Sequence, residues 1–100
     1  MENFTTGAHR DSRKGKGRYD LTTPYLAVRL AMINEQGAKD YGERNWEKGM
    51  PFSRLLDSAM RHLNKFQRGK IDEDHLGKAI WNLACIIHFQ EVQRKDLNDL

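Results

Sequence analysis

A chain of 100 residues with a formal net charge of +3 and one cysteine is a single small domain, with no internal disulfide and no cysteine zinc site. No stretch approaches the roughly 18 apolar residues that span a bilayer, and the N-terminus lacks the apolar core of a signal peptide, so a cytoplasmic protein is expected. The mean hydropathy is −0.83; a chain this short buries about two-thirds of its unfolded surface at best, so help from a second copy would be unsurprising.

The first segment is a basic arm, residues 1–22. Arg10, Arg13, Lys14, Lys16 and Arg18 face one acid, Asp11, which leaves the rest of the chain close to neutral. Such an arm on a neutral body suits an anionic partner, whether nucleotide phosphate, nucleic acid or an acidic protein. It equally suits a solvated, disordered N-terminus, and Gly7, Gly15 and Gly17 favour that. Single-strand stacking is weakly supported, because Tyr19 is the arm's only interleaved aromatic.

From residue 23 the pattern is helical, with no strand alternation and no internal repeat. Thr23-Pro24 predicts a capped start for a helix running to about Tyr41. Leu26, Leu30, Ile33, Gly37 and Tyr41 share one side of it. Val28, Ala31, Met32, Glu35 and Lys39 share another, so Glu35 and Lys39 are one-turn neighbours. The loop that follows carries Asn45 and Trp46 among cations. An aromatic face, an amide and positive charge suit a flat, anionic ligand; the bland alternative is a Gly42-capped helix end with Trp46 plugging the edge of a core.

Pro51 opens a second helix, about 51–68, ended by Gly69. Leu55, Ala59, Leu63 and Phe66 form its stripe, widened by Leu56 and Met60 and bordered by Asp57, Arg61 and Asn64 on one side and His62 on the other. Asp72 or Asp74 caps a third helix reaching about Arg94. Leu76, Ile80, Leu83 and Ile87 make one stripe of it; His75, Lys78 and Asn82 lie roughly opposite. A helix apolar nearly all round from Ala79 to Phe89 belongs in a bundle centre or a subunit interface. Residues 95–100 read as a frayed tail. The expected architecture is all-α: a small bundle of three main helices, 23–94, with a basic N-terminal arm, oligomeric, dimer or larger.

Three blocks carry a family resemblance: Thr6-Gly-Ala-x-Arg10-Asp11 with Gly15-Lys-Gly-Arg-Tyr-Asp-Leu21; Gly37-Ala-Lys-Asp-Tyr-Gly-x-x-Asn-Trp-x-x-Gly49; and Leu56-Asp57-x-Ala59-x-Arg61-His62-Leu63 with Asp74-His75-Leu76 and Ala79-x-Trp81-Asn82. In this order they resemble the phage-borne family named for dATP/dGTP diphosphohydrolase activity. The layout is also distantly similar to the all-α, MazG-like nucleoside triphosphate pyrophosphatases. Those hold magnesium on Glu-x-x-Glu and a later Glu-x-x-Asp. On that overlay Asp57 falls near the first acidic pair and Asn82 near the last aspartate, while Met60 or Arg61 and Lys78 or Ala79 stand where other acids would.

The resemblance implies cleavage of a purine deoxynucleoside triphosphate to monophosphate and pyrophosphate. Glu35 and Asp57 would be the catalytic, Mg²⁺- (or Mn²⁺-) holding carboxylates. Lys39, Arg61 and Lys78 would meet phosphate; Asn45, Trp46 and Asn82 would contact base or sugar; Arg18 would arrive with the arm closing over the ligand; His62 and His75 would line the site. Each has a plain alternative: Asp57–Arg61 and Glu35–Lys39 as surface pairs, Asp72, Glu73 and Asp74 as helix-start acids, His62 and His75 as core-edge histidines, Asn82 as a register-fixing amide. Two rival functions follow: a nucleotide-binding module that sequesters a signalling nucleotide without cleaving it, and a small accessory protein binding nucleic acid or protein through the arm. In a phage-encoded protein the setting would be the host cytoplasm.

Overall fold

The computed structural model describes residues 1–100. Three helices follow the arm: α1, Pro24–Tyr41; α2, Phe52–Gln67; and α3, His75–Glu91. Short 3₁₀ turns stand at Tyr19–Leu21, Asn45–Lys48 and Lys95–Leu97. The arm opens with strands β1, Glu2–Asn3, and β2, His9–Arg10, an antiparallel pair matching Glu2 to Arg10 and Asn3 to His9. This pair corrects the expectation of no strand. Gly7, at φ +91°, lets the intervening turn close with its N–H donating to the Phe4 carbonyl.

The helix ends have local causes. Thr23 accepts a hydrogen bond from the Tyr25 N–H, and Pro24 occupies the first helical position of α1. Gly42 ends that helix, its N–H donating to the Ala38 carbonyl. At the end of α2, Lys70 N–H donates to the Lys65 carbonyl and Gly69 N–H to that of Phe66, with Gly69 at φ +79°. That is the left-handed glycine cap foreseen for this position. The same closure ends α3 without a glycine: Arg94 N–H reaches the Phe89 carbonyl, and Gln93 takes φ +60°.

α2 and α3 pack against each other along their length, and α1 leans on α3. Phe52, Leu55, Cys85 and Phe89 form the core cluster, flanked by Trp46, Met50, Trp81, Ile86 and Leu97. Burial pushes the Cys85 thiol up to about 12, so at neutral pH it is an uncharged packing group. Ala59 and Ala79 are buried too, and their small side chains permit close approach of the two helices. Only 9 of 100 residues are buried, none of them on α1. The radius of gyration is 18.0 Å, against about 13 Å for a compact domain of this length. One copy therefore leaves much of its apolar surface uncovered.

The face of α3 turned to α2 is not its most apolar one. His75, Ala79, Asn82, Cys85 and Phe89 are buried, while Leu83 stays 42% and Ile87 58% exposed. On α2 the buried positions are Phe52, Leu55 and Ala59, with His62 half-buried; Met60, Leu63 and Phe66 are exposed. The tail, expected to fray, is described as docked. Leu97 packs on the core cluster, and a Cβ on Gly49 (φ +113°) would come within 3.3 Å of it.

Candidate functional site

Where α2 ends and α3 begins, two histidines face each other. His62 Nδ1 lies 2.9 Å from His75 Nδ1, and His75 Nε2 lies 2.8 Å from Asp72 Oδ1. The carboxylate only accepts, so His75 Nε2 is the donor in that bond, and the tautomer with its proton there presents a bare Nδ1 to His62. The His75 side chain is fully buried. Burial also holds His62 below the usual imidazole range, against the opposing pull of Glu73.

Glu73 completes the group. Its Oε1 lies 3.8 Å from His62 Nδ1, 3.9 Å from His75 Nδ1 and 2.7 Å from Lys78 Nζ. The Lys78 hydrogen bond keeps the Glu73 carboxyl below its ordinary range, as the His75 bond does for Asp72. Asp74 faces the other way. Its carboxylate receives the Gly77 N–H at 2.9 Å and two bonds from the Arg29 guanidinium, at 2.7 and 3.0 Å. It thus caps α3 and ties α1 to it, and the Arg29 pair holds its carboxyl below the ordinary range. A Cβ at Gly77 would overlap that carboxylate, so any larger residue there displaces the Asp74 side chain from its capping position.

One turn along α3, Asn82 is 7% exposed and its Nδ2 donates to the Lys78 carbonyl at 2.8 Å. His62, His75, Lys78 and Asn82 are therefore brought into one neighbourhood. The other expected site residues stand apart. Trp46 packs edge-on against His88, with ring centroids 4.8 Å apart, and against Trp81 and Phe89 at 6.3 and 6.0 Å. That is the core-plug placement; Asn45 precedes it in the same 3₁₀ turn. Arg18 is held by Asp20 within the arm, both bonds at 2.8 Å, and every arm residue is exposed. Asp57 and Arg61 make a solvent-exposed pair at 3.7 Å. Glu35 and Lys39 are exposed on α1 and make no ion pair.

Magnesium favours closely set carboxylates in a near-octahedral shell. Neither Glu35 nor Asp57 belongs to a group of three potential metal donors, and α1 leans on α3 rather than on α2. One chain alone thus offers no carboxylate cradle for that ion. The group of three that does exist is His62, Glu73 and His75. Sequence reasoning passed over Glu73 and Asp72 because acids at a helix start have an adequate explanation in the macrodipole. The Asp72-x-x-His75 spacing was the available signal, since it sets a carboxylate beside an imidazole.

Residues 6–99 match the family described as dATP/dGTP diphosphohydrolase, N-terminal. The chain belongs to that family. It is also similar to a protein of Salmonella phage PMBT28 named dATP/dGTP diphosphohydrolase, 30% identical over 64 residues. That stretch is 64% of this chain and 22% of the phage protein, so the chain spans only a minor part of its relative. No solved structure matches it. No helix of this family member is long and apolar enough to cross a membrane.

Proposed function

We propose that the chain is a nucleotide diphosphohydrolase that takes a purine deoxynucleoside triphosphate, dATP or dGTP, to the monophosphate and pyrophosphate. The observation that carries this reading is the family match across residues 6–99. The phage relative's name supports the same substrate class.

The working unit is a homo-oligomer, a dimer or larger. The exposed apolar residues Met32, Met60, Leu63, Leu83 and Ile87 favour a second copy, and carboxylates scattered on one chain favour a site completed between copies. Glu35 and Asp57 are the carboxylates assigned to Mg²⁺ or Mn²⁺, which would neutralise phosphate charge. One chain does not gather the two, so an ion held by both needs a second copy. Lys39, Arg61 and Lys78 supply positive charge for phosphate oxygens. Lys78 begins paired to Glu73 and 36% exposed, so it can exchange that partner for a phosphate. Asn82, Asn45 and Trp46 are assigned to base and sugar, His62 and His75 to the wall of the site, and Arg18 to an arm that closes over the ligand.

A second reading has one observation in its favour. Asp57, Glu73 and Asp74 are each already paired with a cation, Arg61, Lys78 and Arg29, an arrangement suited to holding a nucleotide without cleaving it. Incubation of the full chain with dATP or dGTP and Mg²⁺ separates the two. Pyrophosphate release abolished by EDTA is expected; nucleotide recovered intact after heat denaturation would establish capture instead.

A further inference from the structure

The geometry points to a second kind of site in this chain: His62, Glu73 and His75 form a binding site for a divalent first-row transition ion of the zinc class. The inference does not rest on the hydrolase reading, which assigns its hard, oxygen-preferring ion to other residues, although His62 and His75 belong to both neighbourhoods.

Two imidazole nitrogens and a carboxylate oxygen are a donor set for zinc or its neighbours rather than for magnesium. A tetrahedral ion with bonds of about 2.0–2.2 Å holds its donors about 3.4 Å apart. The three donor separations here are 2.9, 3.8 and 3.9 Å. Opening the rings by a few tenths of an ångström and drawing Glu73 in by a similar amount gives the required triangle. Three protein donors leave a fourth position for water or a ligand oxygen, as in zinc sites that act on substrates.

The surroundings hold these three donors in place. Asp72 accepts from His75 Nε2 at 2.8 Å, which fixes the tautomer whose Nδ1 lone pair points into the triangle. A carboxylate that holds the far nitrogen of a ligating histidine is the usual arrangement at metal centres. With His75 in that tautomer, the proton between the two rings belongs to His62 Nδ1; ligation needs that proton on Nε2 of the same ring, which frees Nδ1 to bind the ion. The positive end of the α3 macrodipole opposes a cation here. Asp72, Glu73 and Asp74 offset it with three carboxylates in sequence. Lys78 holds Glu73 at 2.7 Å, and a divalent ion replaces that single charge while the partly exposed ammonium turns to water.

The test uses the full chain, stripped of metal, titrated with Zn²⁺ by calorimetry and with Co²⁺ by visible absorption. One equivalent per chain with the intense d–d bands of a tetrahedral Co²⁺ site is expected, and Mg²⁺ should not compete. His62→Gln and Glu73→Gln should each weaken Zn²⁺ binding at least about tenfold, and Asp72→Asn by about 10–100-fold, with helical content unchanged by circular dichroism. All three positions are at least partly exposed, so the fold survives where a change at buried His75 endangers it. Failure of the folded native chain to take up an equivalent of Zn²⁺ at micromolar metal overturns the assignment. So does native affinity in both His62→Gln and Glu73→Gln. Pyrophosphate release plays no part in this readout, so either result leaves the hydrolase reading standing.

Discussion

Asp99 in the C-terminal tail caps the start of α2: its carboxylate accepts the Ser53 backbone N–H at 2.9 Å and the Ser53 hydroxyl as well. Pro51, the residue in the capping position, offers no side-chain acceptor of its own. The tail thus supplies from 46 residues away what a neighbouring Ser or Asp ordinarily provides.

The Ser53 bonds hold the Asp99 carboxyl below its ordinary range. A carboxyl that is more acidic folded than unfolded stabilises the fold above its unfolded value, about 3.9. The contribution is lost as pH falls through the lower, folded value. Asp99→Asn should therefore be less stable than the native chain at neutral pH, and the gap should close as pH drops below about 4. Urea denaturation of both proteins across that range checks it. A gap of constant size down to strong acid would show that the carboxylate charge is not what holds the tail.

Assembly can be read from α3. Leu83 and Ile87 lie on the apolar stripe that the single chain leaves 42% and 58% exposed. If a second copy covers them, light scattering should report a dimer or larger at micromolar concentration. Leu83→Glu with Ile87→Glu should shift the protein to monomer while its helical content persists, because neither side chain belongs to the α2–α3 core. A native monomer at that concentration would remove the basis for a site shared between copies.

Much of the fold was legible because its signals are local. Thr23-Pro24, Gly42, Gly69 and Asp74 punctuate the chain, and each does in the structure what its type permits. Which face of α3 turns inward was not legible. Hydropathy favours the Leu76–Ile80–Leu83–Ile87 stripe, yet α2 packs on the face with His75 and Asn82, whose polar atoms find hydrogen-bond partners. Satisfied polar groups and small alanines make that interface possible, and neither property is encoded in periodicity. The cluster was half legible: His62, His75, Lys78 and Asn82 were singled out, but Glu73 was explained away by helix electrostatics. The docking of Asp99 on Ser53 was invisible, because a contact over that separation leaves no pattern in either segment.

Asn82 distinguishes packing from recognition. Its Nδ2 bonds to the carbonyl of its own helix at Lys78, an interaction that contributes about 0.5–1.5 kcal/mol net and that leucine replaces with apolar contact. Asn82→Leu should therefore keep the fold. As a residue assigned to base or sugar, it should also lose nucleotide affinity by about tenfold or more, a cost of about 1.4 kcal/mol or greater. Calorimetry with a panel of purine nucleotides measures it. Unchanged affinity would reduce Asn82 to a packing residue and withdraw it from the site.

Glu35 and Asp57 decide between hydrolysis and capture. Both are exposed helical carboxylates, and Asp57 has only the 3.7 Å pair with Arg61 to hold it. Replacing either by its amide keeps shape and removes charge, so neither Glu35→Gln nor Asp57→Asn should change thermal stability appreciably. Any loss of function then reports on the site rather than on the fold. If these carboxylates hold the ion that neutralises phosphate, each variant should cut pyrophosphate release by orders of magnitude, and nucleotide binding in the presence of EDTA should be the same in variant and native protein. If the chain only captures its ligand, the native protein releases no pyrophosphate, and the variants bind as tightly as it does with or without EDTA. A third outcome, native-like release by both variants, would leave hydrolysis intact and move the metal to other carboxylates.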